Sequence, residues 1–99
     1  MTTPPFSVEA RRETGYLLRM LQDGEALGML RSRPMPSIGP GCHELRILDA
    51  GHSWRLIYGV TPAAILVLAV FAKTTPATPR HIIGFARQTL RRFLDDLER

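Results

Sequence analysis

The feature that most constrains this chain is the segment CHELRILDAGHSWRLIY, residues 42–58, which has the pattern of two strands joined by a tight turn. Asp49-Ala50-Gly51-His52 supplies the turn residues. A two-residue loop at Ala50-Gly51 and a four-residue loop give the same antiparallel register, and both place Arg46 directly opposite Arg55 on one face of the sheet. A three-residue bulged loop would shift that register by one.

Two arginines that face each other across a strand pair repel, at a cost of about 0.2–1 kcal/mol. The register therefore predicts a negative group between Arg46 and Arg55. This group is either a carboxylate of the protein or an anion that the protein binds. Glu44 is the nearest acidic candidate, because alternation along the strand places it on the same face as Arg46.

The strands are predicted to span Cys42–Leu48, Ser53–Val60 and Ala63–Lys73. The third strand is almost continuously Ala, Ile, Leu and Val, which is typical of a strand buried on both faces, so we expect it in the middle of the sheet. Arg33–Gly41 contains three prolines and two glycines and is predicted to be a loop.

Helices are predicted on either side of the strands. The first spans Ser7–Gln22, with Ser7 as its N-cap, and Glu25–Arg31 adds a short helical turn. Thr78 is expected to cap the last helix, with Pro79 at its first position. Its apolar residues form one stripe, which comprises Ile82, Ile83, Ala86, Leu90, Phe93, Leu94 and Leu97. The sequence thus predicts an α+β fold, a small antiparallel sheet of three to four strands with an N-terminal helix or helices and a C-terminal helix, packed on one side of the sheet.

The chain of 99 residues is predicted to form a single domain, 1–99, with a disordered start at residues 1–5. A single cysteine, Cys42, allows no intrachain disulfide and is expected to be a partly buried residue. We expect a cytoplasmic protein, because the sequence has neither a signal-peptide pattern nor an apolar run long enough to cross a membrane. His43, His52 and His81 fit no metal spacing, so no metal or other cofactor is expected.

Charge is distributed unevenly along the chain. The segment Gly51–Leu94 contains no acidic residue and six basic ones, namely Arg55, Lys73, Arg80, Arg87, Arg91 and Arg92. Such an excess creates a positive field over part of the surface, which suits phosphate groups. Solvated arginines on a helix face are the alternative explanation.

Three motifs, RPMPSIGPGCHELRI, WRLIY and VLAVFAKTTPATP, occur in an order and spacing that resembles the phage-derived branch of the HigB/RelE toxin superfamily. The resemblance covers roughly residues 6–90. It implies a RelE-like fold and the activity of a type II toxin, a ribosome-dependent mRNA endonuclease. It also implies a helix-turn-helix, HigA-like antitoxin as partner, together with the ribosome and mRNA, possible oligomers through the antitoxin, and no membrane.

Carried over by motif, the resemblance assigns catalytic roles to Arg46, Arg55 and Lys73. The two arginines would clamp the scissile phosphate, and Lys73 would stabilise charge or transfer a proton. Arg33 in the proline-rich loop would contact RNA, as would Arg80 and His81 at the start of the last helix, where the helix dipole favours anions.

The chain departs from the family pattern in three places. The C-terminal aromatic or histidine that some of these toxins use has no clear counterpart, with His81 as a weak candidate. Thr74 stands where a second lysine is usual, and Ser7 leaves little room for the strand that the family has before its first helix, so that one sheet edge is bare or covered by a partner. The alternative function is therefore a non-catalytic basic protein on the same fold, which binds only an acidic antitoxin or a phage partner. Trp54 and Tyr58 are expected in the core rather than as platforms for RNA bases.

Overall fold

The computed structural model describes residues 7–24, 32–49, 52–62, 64–72 and 77–97 of the chain. The elements in chain order are α1 (Val8–Gln22), β1 (Ser32–Pro34), β2 (Cys42–Asp49), β3 (His52–Val60), β4 (Ile65–Ala72) and α2 (Arg80–Leu97). The four strands form one antiparallel sheet in the order β1-β2-β3-β4. The predicted α+β fold is confirmed and is consistent with a RelE-like fold. Residues 1–5 and the turn predicted at Glu25–Arg31 lie outside the described residues.

Helix α1 begins as its sequence predicts. The Ser7 hydroxyl accepts a hydrogen bond from the Ala10 amide at 3.1 Å, which satisfies one of the free donors of the first turn. Glu9 in that turn complements the helix dipole. The helix ends at Asp23 and Gly24, and Gly24 has a positive φ of 86°.

The proline-rich segment is only partly a loop. Ser32–Pro34 forms β1 and pairs with residues 43–45 of β2, so the prediction of a loop from Arg33 onward was wrong at its first two residues. Pro34 is compatible with this position because β1 is an edge strand. Met35 and Ile38 then turn inward and are buried in the core.

The β2–β3 hairpin has the predicted register. Asp49 pairs with His52, and Arg46 lies directly opposite Arg55. The register of this hairpin is set by a short local loop, which explains why the sequence was sufficient to predict it.

Two predictions about the sheet were wrong. Strand β4 lies at an edge, and β2 and β3 occupy the middle. The helices lie on opposite faces rather than on one side: α1 packs on Leu45, Ile47 and Leu56, whereas α2 packs on Cys42 and Ile57. Strand β4 contacts both helices, so its continuous apolar composition reflects cover on two faces and not a central position.

Helix α2 starts one residue later than predicted. The Pro79 carbonyl accepts the first helical hydrogen bond, from the Ile83 amide at 3.2 Å, and Arg80 is the first helical residue. The apolar stripe of α2 packs on the sheet through Ile82, Ile83, Ala86 and Leu90. Leu94 and Leu97 at its end remain largely exposed. Neither described helix is both long and apolar enough to span a bilayer.

Candidate phosphate-binding site

Three arginines converge on the α2-facing side of the sheet, and we call Arg33, Arg46 and Arg55 the arginine cluster. Arg33 on β1 is the Cα partner of Glu44 on β2, and Arg46 on β2 is the partner of Arg55 on β3. All four positions face the same side, because paired residues of neighbouring strands share a face. The sheet thus places three arginines and one glutamate at neighbouring positions on the same face.

Arg55 is the buried member of the cluster. Its Nε lies 3.4 Å from Glu44 Oε1, and the two residues are only 8% and 1% exposed. Its Nη1 donates hydrogen bonds to the Ser53 hydroxyl and to the Trp54 carbonyl, at 2.5 and 3.1 Å. Much of the Arg55 guanidinium is therefore held by the protein itself.

The charges of the cluster influence the buried arginine. Burial lowers the pKa of the Arg55 guanidinium most, the Glu44 carboxylate opposes that shift, and the cations Arg46 and Arg33 lower the pKa further. Arginine remains charged at neutral pH despite such a shift. Arg33 and Arg46 therefore contribute to one positive field with Arg55.

Glu44 also joins the sheet to the start of α2. The Thr78 hydroxyl donates a hydrogen bond of 2.6 Å to Glu44 Oε2, so each carboxylate oxygen contacts a different element. Thr78 was predicted to cap the helix, and its hydroxyl is instead directed to Glu44, 34 residues away in sequence. This contact places the first turn of α2, with exposed Arg80 and His81, on the same side of the molecule as the cluster.

The two outer arginines are open to solvent. Arg33 and Arg46 are exposed, and neither makes a salt bridge with another residue of the described part of the chain. Glu44 lies beneath them and is directed to Arg55 and Thr78. The exposed surface of the site is accordingly cationic and offers two planar sets of donors, which is the arrangement that binds phosphate oxygens.

Lys73 lies outside the described residues, as does Thr74. Strand β4 is described up to Ala72, and its Phe71 is the Cα partner of Arg55. The role of Lys73 stays a prediction.

Tyr58 lies in the core, as predicted. It is buried against α1, and its hydroxyl shares a 2.5 Å hydrogen bond with the Ser32 hydroxyl. His43 was expected at the surface, but it is half-buried and its ring stacks on that of Tyr58 at a centroid distance of 5.3 Å. Trp54 is half-buried and packs on the hydrophobic residues between the sheet and α1. These rings face α1, on the side of the sheet opposite the arginine cluster.

Cys42 was expected to be partly buried and is instead fully buried, and burial raises the pKa of its thiol. Within the described ranges, no group of three or more His, Cys, Asp or Glu side chains is placed to hold a metal ion.

The comparison with known families gives one match. Residues 5–91, most of the chain, match the family described as phage derived protein Gp49-like (DUF891). No curated protein and no solved structure shows significant similarity to the chain. Since the match includes α1, all four strands, the first two-thirds of α2 and every residue of the arginine cluster, the chain belongs to the phage-derived Gp49-like family, a family of RelE/HigB-like toxins.

Proposed function

We propose that this protein is the toxin of a type II toxin–antitoxin pair and that it cuts mRNA on the ribosome. The observation that supports this proposal is the arginine cluster, whose outer members Arg33 and Arg46 are exposed above a buried Glu44–Arg55 pair. Membership in a RelE/HigB-like toxin family agrees with it.

The proposed reaction uses the 2′-hydroxyl of the RNA as nucleophile. Its oxygen loses its proton to solvent as it attacks the adjacent phosphorus, the bond from phosphorus to the 5′-oxygen breaks, and the 5′-oxygen takes up a proton in turn. The products are a 2′,3′-cyclic phosphate and a free 5′-hydroxyl. The transition state carries extra negative charge on the non-bridging oxygens, so guanidinium donors fixed around it accelerate the reaction.

The geometry refines the roles of the two paired arginines. We assign the direct phosphate contact to Arg46, with Arg33 as a second donor from the neighbouring strand. Arg55, which is held by Glu44, Ser53 and Trp54, raises the local potential from below and fixes the position of the site. Lys73 is proposed as the group that protonates the leaving oxygen, and Arg80 and His81 as contacts to flanking phosphates.

The proposed partner is a HigA-like helix-turn-helix antitoxin, and the proposed compartment is the cytoplasm, where the ribosome is the target. Such an antitoxin would neutralise the toxin by covering the positive site with acidic residues.

The test is expression of the protein alone in a bacterial host, with mapping of mRNA ends and a reconstituted translation reaction with and without ribosomes. The wild type should arrest growth and produce ribosome-dependent cuts. Arg46→Ala should lower the cleavage rate by about 100-fold, because it removes a donor to the developing charge. Arg11→Ala is the matched control, since it removes an exposed arginine from α1 on the opposite face of the sheet. Wild-type protein that neither arrests growth nor cuts mRNA would contradict the proposal.

The buried Glu44–Arg55 pair favours one alternative, a non-catalytic basic protein that binds only an acidic antitoxin or a phage partner. In that case the carboxylate serves mainly to hold the sheet together, and the outer arginines only bind. The two functions differ in one result: the binding protein leaves the mRNA intact in the reconstituted translation reaction, whereas the proposed toxin cuts it.

A further inference from the structure

A groove of about 830 Å³ lies between α2 and the segment that joins β1 to β2. One wall is the segment 38–40, and the other is the side of α2 that carries Gly84, Arg87 and Arg91. Leu90, which packs partly on the core, adds apolar lining. The groove therefore combines an apolar surface with cationic side chains.

The basic residues of this side of α2 form a row along the helix. At about 100° per residue, Arg80, Arg87 and Arg91 point in directions within about 40° of one another, whereas Arg92 points about 120° away from Arg80. The three arginines of the row are exposed. None of them forms a salt bridge with another residue in the described ranges. The row therefore offers cations to a ligand in the groove.

Arg87 is held in position by the opposite wall. Its Nε donates a hydrogen bond of 2.6 Å to the Ser37 carbonyl, 50 residues away in sequence. Among the residues that the structure describes, its two terminal nitrogens have no further hydrogen-bond partner. A guanidinium fixed through Nε loses little side-chain entropy when its other donors bind a ligand, so this part of the groove is pre-organised.

Gly84 keeps the groove open between Arg80 and Arg87. It is exposed, and no atom lies within 4 Å of the position where a Cβ atom would stand. A glycine inside a helix costs about 0.5–1 kcal/mol relative to alanine, so its presence does not favour the helix itself. Its effect is to leave space beside the arginine row.

Both walls of the groove begin beside the arginine cluster. The segment 38–40 follows β1, which carries Arg33. The helix wall begins at Arg80, close to the hydrogen bond between Thr78 and Glu44. Cationic side chains thus continue from the sheet onto the helix.

We propose that the groove is a second RNA-binding site, in which Arg87 and Arg91 bind consecutive phosphates of one strand. Their four-residue separation corresponds to about 6 Å along the helix, which is close to the spacing of neighbouring phosphates in RNA. Guanidinium groups present planar pairs of donors to phosphate oxygens. Asp95, one turn beyond Arg91, is in the lining and marks the end of the site. The inference rests on the proposed function, because it extends the path of the same RNA beyond the arginine cluster.

Fluorescence anisotropy with a single-stranded 2′-O-methyl oligonucleotide of about 12 nucleotides tests the inference. This probe lacks the nucleophilic hydroxyl, so binding is measured without cleavage. Gly84→Leu should lower the affinity at least about tenfold, because its side chain fills the groove without changing the net charge. Gly15→Leu is the matched control, since Gly15 is an equally open and exposed glycine on α1, and it should bind like the wild type. Circular dichroism checks that both variants are folded.

Removal of the two arginines gives a second measurement. Arg87→Ala/Arg91→Ala should make the plot of log K against log salt concentration shallower by about 1.4, the value for two phosphate contacts on a single strand. Arg11→Ala/Arg12→Ala removes two exposed arginines from α1 and should leave the slope unchanged.

The strand that occupies the groove comes either from the message or from the ribosome, and the same variants separate the two sources. Weaker binding of the oligonucleotide assigns the groove to an unpaired strand such as the message. Weaker binding of purified, protein-free ribosomal RNA alone assigns it to the ribosome.

The inference requires that both Gly84→Leu and Arg87→Ala/Arg91→Ala lose affinity for RNA. Unchanged binding of both RNAs by either folded variant would overturn it, because the groove or its arginines would then have no part in binding. Weaker binding of polyglutamate alone would overturn it as well and would indicate a site for an acidic protein segment. A wild type that leaves mRNA intact on the ribosome contradicts the proposed function, whereas the groove is judged from binding alone.

Discussion

At the scale of single residues, the arginines of the cluster have different roles. Arg46 is exposed, so its removal should weaken ligand binding at the site and change the stability of the protein very little. Arg55 is buried and paired with a carboxylate that is itself almost inaccessible to solvent. The same substitution at these two facing positions should consequently affect different properties.

We therefore expect Arg55→Ala to lower the free energy of unfolding by about 3–5 kcal/mol, because it leaves the Glu44 carboxylate buried without its cation. Arg46→Ala should change it by less than about 0.5 kcal/mol. Urea denaturation followed by circular dichroism measures both values. Glu44→Gln/Arg55→Met should be more stable than Arg55→Ala, because it removes both charges; if it is less stable, the unpaired carboxylate is not the cause.

The second residue-scale prediction concerns pH and Tyr58. Burial raises the pKa of the Tyr58 phenol, and the hydrogen bond with Ser32 only partly opposes this. The folded state thus holds the proton more tightly than the unfolded state. This contribution to stability is complete below the unfolded pKa, about 10, and is lost as the pH rises from there through the folded pKa.

Tyr58→Phe tests this linkage. At pH 7 the variant should be less stable by about 0.5–1.5 kcal/mol, the usual contribution of one hydrogen bond. The difference from its parent should shrink above pH 10, because only the parent loses the phenol proton. Both proteins should carry Cys42→Ala, since burial also raises the pKa of that thiol. A difference that is constant between pH 7 and pH 11 would contradict the assignment.

At the scale of elements, glycine has opposite effects in a helix and in a turn. Gly15 lies in α1 with open space around the position of a Cβ atom. Gly41 precedes β2 with a φ of 74°, and a Cβ atom there would lie 3.0 Å from the Val60 carbonyl oxygen. We expect Gly15→Ala to stabilise the protein by about 0.5–1 kcal/mol and Gly41→Ala to destabilise it by at least about 1 kcal/mol. Thermal unfolding of the two variants should show melting temperatures that shift in opposite directions.

How much of the fold the sequence could predict depends on the range of each interaction. The cap at Ser7 and the hairpin register that sets Arg46 against Arg55 depend on a few neighbouring residues, and both predictions are confirmed. The position of β4 and the faces that the helices cover depend on contacts across the whole chain, and those predictions were wrong.

The candidate site follows the same division. Local strand alternation was enough to place Glu44 on the face of Arg46. Glu44 was accordingly predicted as a candidate for the group that neutralises Arg46 and Arg55. The Thr78 bond to Glu44 was missed because a threonine before a proline has a strong local preference for capping. Arg33 was assigned from a motif in a loop, whereas its position beside Glu44 results from the short strand β1.

At the scale of the whole molecule, the net charge of +4 is less important than where the cations lie. Arg33 and Arg46 are exposed on the α2 side of the sheet, and Arg80 and His81 extend that side at the start of α2. A strand of RNA that follows this surface would displace counterions from several phosphates at once, so its binding should weaken steeply with salt.

We expect the affinity for a single-stranded RNA oligonucleotide to fall linearly on a plot of log K against log salt concentration. Arg46→Ala should make that slope shallower by about 0.7, the value for one phosphate contact on a single strand. Arg11→Ala lowers the net charge equally but lies on α1, across the sheet, so its slope should match that of the wild type. Fluorescence anisotropy at several salt concentrations measures all three slopes. If Arg11→Ala flattens the slope as much as Arg46→Ala does, then RNA responds only to the net charge, and the sheet does not give the arginine cluster any particular role in binding.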